Sequence, residues 1–362
     1  MTERAGRRKG RRVAIGLGVA VAGATAAAVG QRIAARHLRA RPDPEAGVPF
    51  ETLPPDDLGS LLTDDGTEIA VRASGPVDAP VILFSHGFSL DMTTWYYQWT
   101  ELSEQYRCVL FDHRAHGRSS KPSSGDYSVR AMGRDLRAVL DHAAPGRPAA
   151  IVGHSMGGMA ALAFAGEDPA GFRERVRGMV LVDTAASDIA REFLGSTGAR
   201  IERAIRPLTR RLTSDLDRVE RFRGRFRGVT DLAFLIARAT QFGPEASPNQ
   251  VEYIANLSAS APVEVWVNTI EDLQEMDLTA ALGEVTVPAL VVVGDRDLVT
   301  PKTSARALQA ALPDARAIVI TRAGHVSMME QHDVFNDLLQ GFLSDLDLSR
   351  SGKRRSAARQ RT

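Results

Sequence analysis

Cysteine is almost missing from this chain. Its 362 residues contain one, Cys108, which excludes an internal disulfide framework. That thiol stands in the apolar run Arg107-Cys108-Val109-Leu110-Phe111, which reads as a buried strand and not as a reactive site. Also missing are an internal repeat, a glycine-rich dinucleotide fingerprint and a phosphate-binding P-loop, so no metal, nucleotide or organic cofactor is implied. Net charge is scarce too, at +1, and that near-absence hides an asymmetry. Residues 1–41 carry ten Lys/Arg against Glu3 alone, residues 349–362 carry six with no acid, and the body from 42 to 348 is left at −14. Basic flanks of this kind attract anionic surfaces, of a membrane or of nucleic acid.

Long hydrophobic runs are also rare, and the one at the N-terminus decides between those surfaces. After Arg7-Arg8-Lys9-Gly10-Arg11-Arg12, the stretch Val13 to Val29 holds no charge. As a helix it reaches roughly 26 Å, slightly short of the ~30 Å hydrocarbon core. Snorkelling by Arg12 and Arg32 supplies the missing length. The expectation is an uncleaved membrane anchor over 13–29, with secretion after signal cleavage as the alternative. Gln31 to Arg39 is basic and helix-forming, unlike the residues that usually follow a cleavage site. Positive charge on both flanks leaves the orientation open, and no nucleic-acid partner is expected.

A Pro-, Asp- and Glu-rich stretch follows, and 42–58 reads as a linker. From 59 to 346 short apolar runs alternate with longer amphipathic ones, the βαβα pattern of a mainly parallel sheet. Strands are expected at Ile69–Ala73, Val81–Ser85, Cys108–Phe111, Ala149–Val152, Met179–Val182, Ala289–Val293 and Ala317–Ile320. Their continuous, β-branched character suits burial on both faces. Helices are expected at Trp95–Tyr106, Ser128–His142, Gly158–Ala165, Thr303–Leu312 and Asp333–Leu346. The rhythm breaks at about 187–282, which shows helical segments only and reads as a cap over the sheet. Its first part, Ser187 to Arg227, holds eleven Arg against six acids. That is a solvated helix face or, on the sharper reading, a surface for anionic lipid headgroups. A basic tail closes the chain at 347–362.

The chemistry is carried by Gly153-His154-Ser155-Met156-Gly157, the one G-x-S-x-G of the sequence. A strand, Ile151-Val152, leads into it and a helix leads out. A sharp strand-to-helix turn holds such a serine with its Oγ exposed, and the helix N-terminus faces the oxyanion that develops.

With Gly158 this run resembles the nucleophile elbow of α/β-hydrolases, in particular the esterase, monoacylglycerol-lipase and cofactor-free haloperoxidase branches. The fold implied is a mainly parallel sheet flanked by helices, with a helical cap inserted after the sixth strand. The resemblance covers roughly residues 60–345 and implies catalytic residues in the order serine, acid, histidine. Ser155 is the nucleophile. His325, in Arg322-Ala323-Gly324-His325-Val326, stands where the family has its histidine, whereas His332 reads as a solvated helix residue. The family's G-x-x-D segment selects Asp297, with Asp295 and Asp183 as alternatives. The oxyanion hole is expected from the backbone N–H groups of Met156 and of Phe88, which follows His86-Gly87; the Phe88 and Met156 side chains would line the acyl pocket. Asp112 to Ser119 resembles the family's D-x-R-G-x-G-x-S loop but carries Ala115 where glycine is usual. Asp112, His113 and His116 lack a fourth partner in sequence and are not expected to bind metal.

The activity implied is hydrolysis of a small-molecule carboxylic ester, a lipid-like one included, through an acyl-enzyme. The same residues would serve C–C bond hydrolysis or cofactor-free haloperoxidase or perhydrolase chemistry, and a ligand-binding receptor with a slow hydrolase site is a further alternative. An epoxide hydrolase or dehalogenase is disfavoured, since those relatives carry aspartate where Ser155 stands. The oligomeric state and the acyl and alcohol specificity are not legible.

Overall fold

The computed structural model describes residues 30–187 and 231–348. The expected anchor, the arginine-rich start of the cap and nearly all of the basic tail lie outside these residues. Among the described residues no helix is long and apolar enough to cross a membrane. The expectation of a membrane-anchored protein is corrected accordingly; the described helical residues 30–39 carry Arg32, Arg36 and Arg39.

Eight strands form one sheet in the order β1-β2-β4-β3-β5-β6-β7-β8. They are β1 Asp56–Leu62, β2 Glu68–Ser74, β3 Val81–Ser85, β4 Arg107–Phe111, β5 Ala149–His154, β6 Val176–Val182, β7 Ala289–Gly294 and β8 Ala315–Ile320. β1 pairs antiparallel with β2 and β2 with β4, while β4, β3, β5, β6, β7 and β8 run parallel. Alternation along each strand divides the core into layers on the two faces. In β3, Val81 and Leu83 face one layer, while Ile82 and Phe84 face the other.

With the helix at 30–39 as α1, the remaining helices fall into place in chain order: α2 Tyr96–Leu102, α3 Val129–Ala143, α4 Met156–Glu167 and α5 Pro169–Arg175. After β6 come α6 Asp231–Thr240, α7 Pro248–Ser260 and α8 Val263–Glu275. After β7 come α9 Lys302–Ala311, α10 Ser327–Glu330 and α11 His332–Ser344. Residues of α3, α4 and α9 pack in the first layer, and those of α2 and α11 in the second. The segment from α6 to α8 is the described part of the insertion between β6 and β7. Its base is closed where Leu278 N–H donates to the Ala186 carbonyl at 2.9 Å.

α4 is buried from Met156 through Ala165. Its Gly- and Ala-rich sequence allows that, because backbone meets backbone: a Cβ at Gly133 of α3 would stand 2.9 Å from Phe164 N. A helix apolar all round belongs in the centre of such a layered fold.

The N-terminal segment is laid on the body. Arg39 pairs with Asp231 at 2.6 Å and Glu252 at 2.8 Å. Asp43 accepts from Ser247 Oγ at 2.6 Å and from Asn249 N at 2.8 Å. Phe50 packs among Tyr96, Tyr97 and Tyr253. The 42–58 stretch expected as a linker thus finds partners in α2 and α7, and its end is paired in the sheet as β1.

Candidate active site

Parallel strands bring their C-terminal ends to one edge of the sheet, where sites of α/β folds lie. The loops after β3, β4, β5, β6, β7 and β8 carry Phe88, Asp112, Ser155, Asp183, Asp297 and His325, respectively.

Ser155 caps α4 with φ 50 and ψ −118, a left-handed conformation that costs a non-glycine residue free energy. The turn is held by close packing. A Cβ at Gly153 would stand 2.7 Å from the Gly157 carbonyl oxygen, and one at Gly157 would collide with the Ser85 carbonyl. Only glycine at both places lets β5 turn directly into α4 against the end of β3. Ser155 N–H donates to Val182 O at 2.9 Å, and Thr184 Oγ1 donates to Ser155 O at 2.7 Å. Strand β6 thereby holds the strained residue on its other side.

Of the expected site residues, the structure brings Ser155, His325 and Asp297 together. His325 Nε2 lies 3.0 Å from Ser155 Oγ, and His325 Nδ1 lies 2.9 Å from Asp297 Oδ2. A carboxylate only accepts, so Nδ1 carries the proton and the lone pair of Nε2 faces the serine hydroxyl. Asp297 is held in turn by Val299 N at 2.8 Å, Thr300 N at 3.0 Å and Thr300 Oγ1 at 2.8 Å. All three side chains are buried. Burial disfavours the His325 imidazolium, but the charge and hydrogen bond of Asp297 outweigh it and raise the pKa. Burial likewise opposes ionisation of Asp297, and the charge of His325 outweighs that and lowers its pKa.

The two alternative acids sit elsewhere. Asp183, with φ 46, accepts from Gly294 N and Ser327 N, both at 2.9 Å. It ties the end of β7 to the loop after His325, and burial followed by repulsion from Asp297 raises its pKa. Asp295 accepts from Arg322 N at 2.7 Å, and so folds the start of the histidine loop.

Met156 is the first residue of α4, where an N–H has no acceptor within the helix. The loop bearing Phe88 lies against the nucleophile: a Cβ at Gly87 would stand 3.3 Å from Ser155 Cβ. His86 Nδ1 donates to Gly87 O at 2.8 Å, and His86 Nε2 accepts from His113 N at 2.9 Å. Across a trans peptide the N–H opposes the C=O, so Phe88 N–H points away from the His86 ring. The next residue is fixed too, since Ser89 N donates to His116 Nε2 at 3.2 Å. The Phe88 ring packs edge-on against Trp266 of α8 at 4.8 Å, so this loop meets the insertion.

Of the three residues set aside as metal ligands, Asp112 and His116 are occupied by backbone, and His113 Nε2 lies 2.9 Å from Ser85 Oγ. Asp112 accepts from Met92 N at 2.8 Å and Arg118 N at 2.7 Å, and His116 Nδ1 donates to Arg114 O at 2.9 Å. Among the described residues no group of His, Cys, Asp or Glu could hold a metal ion. Burial pushes His86 and His113 well below the ordinary histidine range, and His116 down to about 4. These imidazoles are neutral struts. Ala115, at the family's glycine position, adopts φ 61, in the left-handed region that favours glycine.

Sequence reasoning missed two neighbours. His154 Nε2 donates to the His325 carbonyl at 2.7 Å, and Thr300 Oγ1 lies 3.3 Å from His325 Nδ1. Position beside Ser155 and beside Asp297 was the available signal.

A strained serine between β5 and α4, facing an imidazole from the loop after β8, defines the class of protein. Residues 80–331 match the sequence model of the alpha/beta hydrolase fold, and the chain belongs to that family. It is similar to 3-oxoadipate enol-lactonase 2 of Acinetobacter baylyi, 27% identical over 285 residues that cover 78% of this chain and 95% of that protein. Among solved structures it resembles a thermophilic esterase from Thermogutta terrifontis, with TM-score 0.63, 27% identity, and 79% and 97% of the two chains covered. The enol-lactonase from Burkholderia xenovorans LB400 gives TM-score 0.63 at 25% identity over 79% of this chain and all of that one. The chain is a hydrolase with the α/β-hydrolase fold.

Proposed function

We propose that this hydrolase cleaves a carboxylic ester, a lactone's included, through an acyl-enzyme on Ser155. Ser155 Oγ attacks the ester carbonyl as its proton passes to His325 Nε2. The N–H groups of Phe88 and Met156 hold the oxyanion. The tetrahedral intermediate collapses, and His325 returns the proton to the leaving alkoxide, which departs as the alcohol. Water then enters, gives its proton to His325 and attacks the acyl carbon. Collapse of the second intermediate releases the acid and restores Ser155. Asp297 keeps the Nδ1 proton in place and stabilises the imidazolium in both halves.

The observation that carries this reading is the single imidazole within hydrogen-bond reach of both Ser155 Oγ, at 3.0 Å, and Asp297, at 2.9 Å. The esterase and enol-lactonase relatives favour an ester bond over a C–C bond. The apolar faces of Phe88 and Trp266 suit an apolar substituent on that ester.

Treating the protein with a fluorophosphonate and mapping the label by peptide mass tests the assignment. The label is expected on the peptide bearing Ser155, and a short-chain ester present in excess during labelling should slow its uptake. Label on another serine, or none beside undiminished ester turnover, contradicts it.

A further inference from the structure

The backbone of the histidine loop is held by several parts of the fold. Arg322 N donates to Asp295, and Ala323 O accepts from Arg296 N. His325 O accepts from His154, and Ser327 N donates to Asp183. Two of the remaining contacts lead out of the sheet and into the insertion. His325 N donates to Gln241 O at 2.7 Å, and Gln241 directly follows α6. The second runs through Glu330, at the end of α10. Its Oε1 accepts from Gly324 N and its Oε2 from Gly243 N, both at 2.6 Å.

The two strips of backbone also touch. A Cβ at Gly243 would collide with the Arg322 carbonyl, and one at Gly324 would stand 2.5 Å from the Gln241 oxygen. Glycine at both places lets 241–243 and 322–325 lie side by side, and one carboxylate spans them. Burial pushes the Glu330 pKa up to about 8 against the pull of these two N–H donors; once ionised, both oxygens are charged acceptors, which make the shorter, stronger hydrogen bonds.

The geometry points to Glu330 as a positioning residue that latches the root of the insertion to the backbone of His325, so that the imidazole stands in range of Ser155 only while that root is seated. The inference rests on His325 being the general base. It gives the insertion a hold on the chemistry as well as on the substrate: displacement of 241–243 pulls on the peptides either side of His325. Glu330 touches no reacting atom. Its charge also helps to raise the His325 pKa, so amide exchange, and not kcat alone, reports where His325 stands.

Glu330→Gln keeps the size of the side chain but turns one acceptor oxygen into an NH2 group, which must then face an N–H. Turnover of a short-chain nitrophenyl ester is expected to fall at least tenfold in kcat with KM within about twofold. Amide hydrogen exchange in 241–243 and 322–326 should accelerate together by tenfold or more, while peptides of β5, β6 and β7 exchange as in the parent. A kcat within twofold of the parent, or parental exchange in both strips, overturns the latch. Should Glu330→Gln fail to fold, the parent alone decides. The latch requires Gly243 and Gly324 to open as one unit, with the same protection across a denaturant series, and protection differing more than tenfold refutes it. A parent that turns over no ester but shows coupled opening would sink the ester-hydrolase reading and leave the mechanical coupling standing.

Discussion

Three aspartates lie near His325, and each has a different set of partners. Asp297 faces Nδ1 at 2.9 Å, Asp183 spends both oxygens on backbone N–H groups, and Asp295 caps Arg322. By analogy with the serine-protease triad, Asp297→Asn should lower turnover by up to ~10⁴-fold with little change in melting temperature. Asp295→Asn and Asp183→Asn should cost far less turnover, and Asp183→Asn should act mainly on stability, because one of its two backbone N–H groups then faces an amide NH2. A dead Asp183→Asn beside a near-normal Asp297→Asn would reverse the assignment. The pH profile carries a second readout. Burial lowers the His325 pKa, but Asp297 more than offsets this and leaves it raised above the ordinary 6.5. The base must be neutral, so kcat/KM should rise with pH through a value above 6.5. Residual activity of Asp297→Asn should show that limb moved to lower pH. An unmoved limb would detach Asp297 from His325.

At the scale of elements, the loops after β3 and β4 support one another through neutral histidines. The folded-state pKa of His116 is depressed from 6.5 to about 4 by burial. The unfolded chain therefore binds a proton that the folded chain refuses. Stability from this group is present above about 6.5 and is lost as pH falls toward 4, on the order of 3 kcal/mol. Melting His116→Gln beside the parent at pH 7.5 and 4.5 checks this: the parent should lose more stability on acidification, and equal losses would show that His116 is not held neutral.

The elements also show what was legible beforehand. β3 coincides with its expected span, and β2, β4, β5, β6, β7 and β8 contain theirs; β3, β4, β5, β6 and β7 each hold an unbroken apolar run buried on both faces, whereas β2 is half-buried and β8 has one buried residue. β1 escaped notice: Asp56–Leu62 is mostly exposed, with one buried residue, and a register shift interrupts its pairing near Gly59, at φ +77. An edge strand wetted on both faces carries no periodicity to read. At the site, a local motif pointed to Ser155, whereas spacing alone could not choose Asp297 over Asp295 and the resemblance to the family's G-x-x-D segment made that choice. In an extended segment the two would share a side, and only the turn at Thr300 separates them.

For the whole molecule, the N-terminal segment is a strap between the sheet and the insertion. Arg39 bridges Asp231 and Glu252 and lies 4.4 Å over the Phe234 ring. Its side chain is 30% exposed, so solvent screening limits each pair to about 1 kcal/mol or less. Arg39→Ala should lower the melting temperature modestly and speed limited proteolysis within 40–55, leaving kcat within about twofold. Unchanged cleavage there would show that the strap is held by Phe50 and Asp43 instead. The sequence read this stretch as a linker because Pro and Asp are common in linkers. Its partners on α2 and α7 are distant in sequence and become visible only in the fold.

Catalysis through a serine acyl-enzyme is the central claim, and Ser155→Ala tests it most directly. The substitution removes one oxygen from a residue whose neighbours are packed backbone, so the melting transition should stay near that of the parent. Turnover of short-chain nitrophenyl esters should fall by at least a thousandfold and fluorophosphonate labelling should disappear. A folded Ser155→Ala protein that still hydrolyses those esters within tenfold of the parent would contradict the account.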